Sequence, residues 1–118
     1  MSEDGDGTEL TALLSLLEDE YARAILAETS VQPMSAQELA ERCEVADSTI
    51  YRRIERLREH ELLAERQVPD SDGHHYKEYS ARLDHVRIDL QSGEFSIDVA
   101  RIEEDPVDRF TRLYEGFQ

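Results

Sequence analysis

Residues 35–66 read SAQELAERCEVADSTIYRRIERLREHELLAER, and this stretch decides the fold. Ser35 is followed three residues later by Glu38, a capping-box pattern that predicts the N-terminus of a short helix. After a brief turn, Asp47 is predicted to cap a second helix that runs to about His60. The stretch therefore predicts two short helices joined by a tight turn.

The second helix has two distinct faces. Ile50, Ile54 and Leu57 recur at i, i+4 and i+7, which predicts a buried stripe. At about 100° per residue, Arg52 lies about 200° from Ile50 and so on the opposite face. Ser48, Thr49 and Arg56 lie within about 60° of Arg52, Tyr51 and Arg53 lie on the flanks, and Glu55 and Glu59 also reach the border of this face. The exposed face is thus hydroxyl-bearing near the helix N-terminus and cationic further on.

The residues before this stretch predict more helix. Apolar side chains fall at helical spacing on both sides of the acidic run 18–20, which favours two consecutive helices or one kinked helix. Residues 30–34 contain Pro33 and are predicted to form a loop. Residues 1–8 are acidic and contain glycine, so they are predicted to be a disordered tail.

The residues that follow predict two hairpins and a last helix. Strands are predicted at 62–68 and 74–83 around the turn sequence PDSDG, and a second hairpin over 85–101 alternates apolar and polar residues. Asp105-Pro106 is predicted to begin a helix in which Val107, Phe110, Tyr114 and Phe117 share one face. The predicted fold class is α+β and mostly helical.

The charge of the chain is strongly negative. Its 118 residues include 28 acidic and 13 basic residues, giving a formal net charge of −15. All the basic residues are Arg except Lys77, a composition that resembles proteins of salt-loving archaea; the alternative is an ordinary acidic protein that binds basic partners. Either way, the overall charge argues against nonspecific affinity for DNA. Four of the 13 basic residues nevertheless lie between Arg52 and Arg58.

Several classes of protein are not supported. No stretch approaches the ~20 apolar residues that span a bilayer, and the acidic N-terminus is unlike a signal peptide, so we expect a cytoplasmic protein without membrane contact. The single Cys43 excludes an internal disulfide and is predicted to be a core residue. His74 and His75 would point to opposite faces of a strand, so no metal or other cofactor is predicted. No motif of an enzyme is present.

Two segments carry a resemblance to a known class of regulators. They are LLSLLEDEYARAIL at 13–26 and MSAQELAERCEVADSTIYRRIERLREHELL at 34–63, followed by the first hairpin. Together they resemble the ArsR-like winged helix-turn-helix regulators common in archaea, over roughly residues 10–83. The resemblance implies a winged helix-turn-helix domain at 9–83 that binds double-stranded DNA. It also implies that the major groove is faced by Ser48, Thr49, Arg52, Arg53 and Arg56.

The chemistry of these side chains agrees with that role. Arg52 can donate two hydrogen bonds to guanine O6 and N7, whereas Ser48 and Thr49 suit phosphate oxygens. Tyr51 and Lys77 complete the predicted DNA-binding set, and the wing offers Arg66, His74, His75 and Lys77 as phosphate contacts. Two features depart from the class. Glu61 stands where Gly is usual after the recognition helix, and Asp70 and Asp72 at the wing tip would repel phosphate.

Residues 84–118, the second hairpin and the final helix, are predicted to form a dimerisation element. One recognition helix reads few base pairs, so we expect a homodimeric transcription regulator that reads two half-sites. The alternative is a winged-helix module that docks a basic protein partner without binding DNA. The sequence names neither a target site nor an effector.

Overall fold

The computed structural model of the protein describes residues 7–102, which form four helices and five strands. In chain order they are α1 Gly7–Glu18, α2 Glu20–Val31, β1 Met34–Ser35, α3 Ala36–Cys43, α4 Asp47–Glu59, β2 Leu63–Pro69, β3 His75–Ala81, β4 Leu83–Gln91 and β5 Glu94–Arg101. The predicted α+β class is confirmed.

The first two helices are separate because Asp19 lies between them in an extended conformation. Its carboxylate caps α2, with Oδ1 accepting hydrogen bonds from the backbone N–H of Tyr21 at 2.8 Å and of Ala22 at 3.3 Å. This confirms the first of the two alternatives, consecutive helices. The tail predicted at 1–8 is too long, since α1 begins at Gly7; residues 1–6 lie outside the described range.

The loop predicted at 30–34 is shorter than expected. Helix α2 continues to Val31, and Met34 with Ser35 forms the short strand β1, which pairs antiparallel with β3. Only Gln32 and Pro33 connect the helix to the strand. Pro33 therefore breaks the helix as predicted, but it does so just before an element that the sequence did not indicate.

The caps of the next two helices differ. The Ser35–Glu38 capping box is confirmed: the Glu38 N–H donates to Ser35 Oγ at 3.1 Å, and the Ser35 N–H donates to Glu38 Oε1 at 3.3 Å. The prediction that Asp47 caps α4 is wrong. Ala46 occupies the cap position with no side-chain hydrogen bond, and Asp47 is the first helical residue. At this position its negative charge still interacts favourably with the positive end of the helix dipole.

Helix α4 is held by its predicted stripe. Ile50, Ile54 and Leu57 are completely buried in a core that also takes side chains from α1, α2, α3 and β2. Cys43 packs against this core from a partly buried position. Burial raises the pKa of its thiol, and the nearby Glu28 charge raises it further, so the thiol stays protonated. Buried apolar area of this kind is the main term that fixes the orientation of α4.

The strands form two separate antiparallel sheets. In the first, β3 lies between β1 and β2, and the exposed turn 70–74 joins β2 to β3. In the second, β4 pairs with β5 over nearly their full lengths. Both predicted hairpins are confirmed, and a helix-turn-helix followed by the β2–β3 wing makes the fold a winged helix-turn-helix. The predicted helix at 105–117 lies outside the described residues.

Candidate DNA-binding surface

Helix α4 presents a polar face on the side opposite its buried stripe. Ser48, Tyr51, Arg52 and Arg56 are exposed on it, and Thr49 is partly buried. The buried stripe fixes the rotation of the helix about its own axis, so these side chains face outward together. Five of the predicted site residues are thereby brought onto one surface.

Among residues 7–102, Arg52 and Arg56 differ from the other arginines in having no partner. Neither makes a hydrogen bond or an ion pair within 4.0 Å to any described residue, although both are exposed in a chain rich in carboxylates. Every other arginine of this range has a partner. The partners are carboxylates for Arg42, Arg53, Arg58, Arg66 and Arg87, and backbone carbonyl oxygens for Arg23, Arg82 and Arg101.

Arg53, in contrast, has a partner, although the family resemblance placed it among the residues that face the major groove. Its Nε lies 2.8 Å from Asp19 Oδ2, and its guanidinium carbon is 5.6 Å from the centre of the Tyr21 ring. Burial raises the pKa of Asp19, but the hydrogen bonds from Arg53 and from the α2 backbone outweigh it and leave the pKa lowered. Arg53 thus joins α4 to the cap of α2.

The far end of α4 is joined to the wing through Glu65 on β2. Glu65 Oε2 lies 3.1 Å from Arg58 Nη1, and Glu65 Oε1 lies 3.8 Å from Lys77 Nζ on β3. Tyr79 is buried beside this group; burial and the Glu65 carboxylate raise its pKa to about 12. Lys77 remains largely exposed, so its long ion pair leaves it able to contact another anion.

A cleft lies between α4, the start of α3 and the wing. Its volume is about 460 Å³. The lining residues are Ser35 from the end of β1, Ala36 and Gln37 from the start of α3, Tyr51 from α4, and His75, Tyr76, Lys77 and Tyr79 from β3. The cleft brings Tyr51 and Lys77, two predicted site residues, to the same depression.

The backbone after α4 takes an unusual conformation at Glu61. This residue has φ 57°, in the left-handed region, which costs a residue other than glycine about 1 kcal/mol. The turn lets the Leu62 N–H donate to Leu57 O at 2.9 Å and brings Leu62 into the core. Glu61, at a position where Gly is usual, therefore does adopt the left-handed conformation, and the burial of Leu62 compensates for the cost of this strained turn.

The wing provides fewer free cations than its sequence suggested. Arg66 Nη2 lies 3.1 Å from Glu78 Oε1, across the two strands. Asp70, Asp72, His74 and His75 are all exposed around the turn. The acidic tip would repel phosphate, so the surface of the wing next to α4, rather than its tip, is suited to DNA.

Some functional features were not apparent in the sequence. Asp19 lies inside the acidic run 18–20, and its residue type, which commonly caps helices, was the only signal of the cap. The Glu65 contacts depend on the pairing of β2 with β3 and had no local signal.

Within residues 7–102, no group of three or more His, Cys, Asp or Glu side chains is arranged to hold a metal ion. The same range includes no helix that is both long and apolar enough to cross a membrane.

Comparison with known proteins agrees with the geometry of this surface. A family model described as a helix-turn-helix domain matches residues 17–66, the span from the end of α1 into β2. No curated protein matches the chain. The matched span includes the whole polar face of α4 and indicates a DNA-binding domain of the type found in transcription regulators.

Proposed function

We propose that the protein is a sequence-specific regulator of transcription that binds double-stranded DNA as a homodimer, with α4 in the major groove. The observation that carries the proposal is the pair Arg52 and Arg56. In a chain of net charge −15, exposed arginines have many carboxylates to pair with, yet these two, on one face of a helix, have none within the described residues. A polyanion is the partner that fits them.

The side chains of the polar face divide between two tasks. Arg52 and Arg56 reach base edges, where a bidentate contact to guanine O6 and N7 contributes about 1–3 kcal/mol of discrimination. Ser48 and Thr49, at the start of α4, donate to phosphate oxygens next to the positive end of the helix dipole. Base reading and positioning are thus carried by different side chains of one helix.

Arg53 has a positioning role in this proposal. Its ion pair with Asp19 fixes α4 against α2 and so sets the angle at which Arg52 enters the groove. A guanidinium that is already paired at 2.8 Å would have to break that pair to reach DNA. We therefore remove Arg53 from the set of direct contacts that the sequence predicted.

The cleft beside α4 accommodates the DNA backbone. Tyr51 and Lys77 line it, and the first residues of α3 contribute their polar groups at its other side. Lys77 contributes a positive charge, and Tyr51 contributes a hydroxyl donor. The acidic wing tip stays outside the groove, so the wing contacts the backbone through its β3 surface only.

The proposal is tested by selecting genomic DNA fragments on the immobilised protein in molar KCl and sequencing those retained. We expect a recurrent two-fold motif for the wild type and loss of retention for Arg52→Ala with Arg56→Ala. Arg87→Ala serves as a control, because it removes an exposed arginine from β4, which lies outside the proposed DNA-binding surface. Absence of any enriched motif with the wild type would contradict the proposal and favour a protein-docking module.

A further inference from the structure

The last turn of α4 lies beyond the buried stripe of that helix. Leu57 is the last buried side chain of α4, and none of the residues at positions 58–61 is buried. Glu61 then takes the left-handed conformation, with φ 57°, before Leu62 enters the core. The C-terminal end of the helix is therefore fixed by contacts other than the burial of its own side chains.

Arg101, the last residue of β5, supplies one of these contacts. Its Nε and Nη2 both donate to the backbone oxygen of His60, at 3.1 and 2.8 Å. His60 is the C-cap of α4, and carbonyl oxygens at a helix C-terminus lack a partner within the helix and carry the negative end of its dipole. A guanidinium meets both needs, because it has several donors and a positive charge. Arg101 thus caps α4 from a strand 41 residues further along the chain.

The base of the same hairpin also holds the other side of the Glu61 turn. The Arg82 N–H, just before β4, donates to Leu62 O at 2.8 Å. Arg82 is in turn bonded to Ile102, just after β5: the Ile102 N–H donates to Arg82 O at 2.6 Å, and Arg82 Nε donates to Ile102 O at 3.3 Å. The residues on both sides of Glu61 are therefore bonded to the base of the β4–β5 hairpin.

The partner of Arg101 indicates the role of this side chain. The chain has 28 acidic residues, yet Arg101 directs two donors to one backbone oxygen at a helix end. Arg23 ends α1 in a similar way, with Nη1 2.7 Å from Leu17 O and 2.8 Å from Glu18 O. Arg23 reaches α1 from the next helix, whereas the cap of α4 comes from a hairpin outside the helix-turn-helix. This second cap couples the hairpin to α4.

We propose that Arg101 is a positioning residue for DNA recognition, and that the β4–β5 hairpin holds the C-terminal end of α4 at a fixed angle. The inference rests on the proposed function and deepens it, because it gives a role to residues outside the matched span 17–66. Arg101 is only partly exposed and is engaged with His60. It acts on Arg52 and Arg56 through the helix and does not itself contact DNA.

The geometry of the helix connects the cap to base reading. His60 lies four residues after Arg56 and eight after Arg52, about 6 and 12 Å along the helix axis. Contacts in a binding site have to be held to within about 0.5 Å, which a helix end that can move does not provide. Attraction of the same arginines to phosphate carries no sequence information and needs only their charge. Loss of the cap is therefore expected to lower sequence discrimination and to spare general affinity for DNA.

The structural part of the inference is tested without DNA, by amide hydrogen exchange on the full chain. Arg101→Gln removes the cap, and Arg87→Gln is the matched control, because it removes the same charge from an exposed position on the same hairpin. The Glu61 and Leu62 amides, which close the turn after α4, are followed.

We expect the Glu61 and Leu62 amides to exchange at least about tenfold faster in Arg101→Gln than in the control, the lower end of what a hydrogen bond to a charged group contributes. The amides of β2 and β3 should differ by less than about twofold, because the opening is local. Equal exchange in the two variants, or uniform acceleration over the whole chain, would overturn the inference.

The functional part is tested by affinity for a mapped site and for unrelated DNA of the same length. We expect Arg101→Gln to bind the site at least about tenfold more weakly than Arg87→Gln, with the same affinity for unrelated DNA and the same salt dependence. A merely structural role would leave both affinities unchanged in the folded protein, so an unchanged affinity for the site would overturn the inference. Parallel losses on both DNAs would also overturn it, because they would indicate a direct phosphate contact.

Two provisions keep the outcomes distinct. If Arg101→Gln is unfolded by circular dichroism, Arg101→Lys takes its place, because it keeps the charge but loses the two-pronged donor. If the wild type selects no DNA although Glu61 and Leu62 respond to the substitution, the proposed function is wrong and only the structural cap remains. If the wild type selects DNA and Arg101→Gln discriminates as well as Arg87→Gln, only the positioning role is wrong.

Discussion

The ion pair between Asp19 and Arg53 is predicted to contribute, beside the buried stripe of α4, to how this helix is oriented. Asp19 has two tasks, since Oδ1 caps α2 while Oδ2 accepts from Arg53 Nε at 2.8 Å. Replacing Asp19 by Ala removes both tasks, whereas replacing it by Asn keeps a capping oxygen and removes the charge. Replacing Arg53 by Ala removes the ion pair, together with the contact to the Tyr21 ring, and leaves the cap of α2 in place. These three variants therefore separate the cap from the ion pair.

The expected magnitudes follow from the geometry. The two side chains are 15% and 25% exposed, so the pair is stronger than a solvated surface pair. Loss of an N-cap costs about 1 kcal/mol, and a hydrogen bond to a charged group contributes about 1.5–3 kcal/mol. We expect Asp19→Ala to lower the free energy of unfolding by about 2–4 kcal/mol and Arg53→Ala by about 1–3 kcal/mol.

The assay is urea unfolding followed by circular dichroism, arranged as a double-mutant cycle with both Ala substitutions. A coupling energy of about 1–2 kcal/mol is expected for side chains in direct contact. Since the pKa of Asp19 is lowered below its ordinary 3.8, its contribution is complete above that pH range and is lost as the pH falls through the lowered pKa. Strict additivity, or an Arg53→Ala variant of unchanged stability that no longer binds DNA, would refute the positioning role.

Three further outcomes are expected. Glu61→Gly should raise the free energy of unfolding by up to about 1 kcal/mol in urea, because it relieves the left-handed strain; a lower value would contradict this. The free energy of unfolding should fall between about pH 10 and 12, because Tyr79 ionises there in the unfolded chain but stays protonated in the folded protein, where its pKa is about 12. Tyr79→Phe should reduce this fall with pH. DNA affinity should fall by less than about 0.9 log units per contacted phosphate for each tenfold increase in KCl, or should rise. The reason is that exposed carboxylates on α4 take up cations when DNA binds. A steep loss of affinity with added KCl would contradict this.

The helices and hairpins could be predicted because their signals are local. The stripe Ile50, Ile54 and Leu57 needs only helical spacing, and the Ser35–Glu38 box needs only four residues. The alternation of β4 and β5 likewise appears within each strand. Each of these patterns records burial on one side of a single element, which the sequence of that element is sufficient to show.

The features that were missed depend on contacts between distant residues. Arg53 and Asp19 are 34 residues apart, so nothing in the spacing of α4 indicated their ion pair. Strand β1 is two residues long and exists because β3 provides its hydrogen-bonding partner. Asp47 was misplaced by one position, since Ala46 takes the extended cap conformation without a side-chain bond. Helical geometry therefore identified the face of Arg52, but it could not show that the neighbouring Arg53 was already paired with Asp19.

The most direct test of the DNA-reading role of Arg52 compares the wild type with Arg52→Ala, each on DNA sites that contain or lack one guanine N7. Once the preferred site is mapped, its affinity is measured with each guanine in turn replaced by 7-deazaguanine, which lacks the N7 acceptor. We expect one replacement to weaken the wild type about 5- to 150-fold, corresponding to about 1–3 kcal/mol, and to leave Arg52→Ala unaffected. If Arg52→Ala binds every site as tightly as the wild type, or loses affinity equally for all sequences, Arg52 does not read bases.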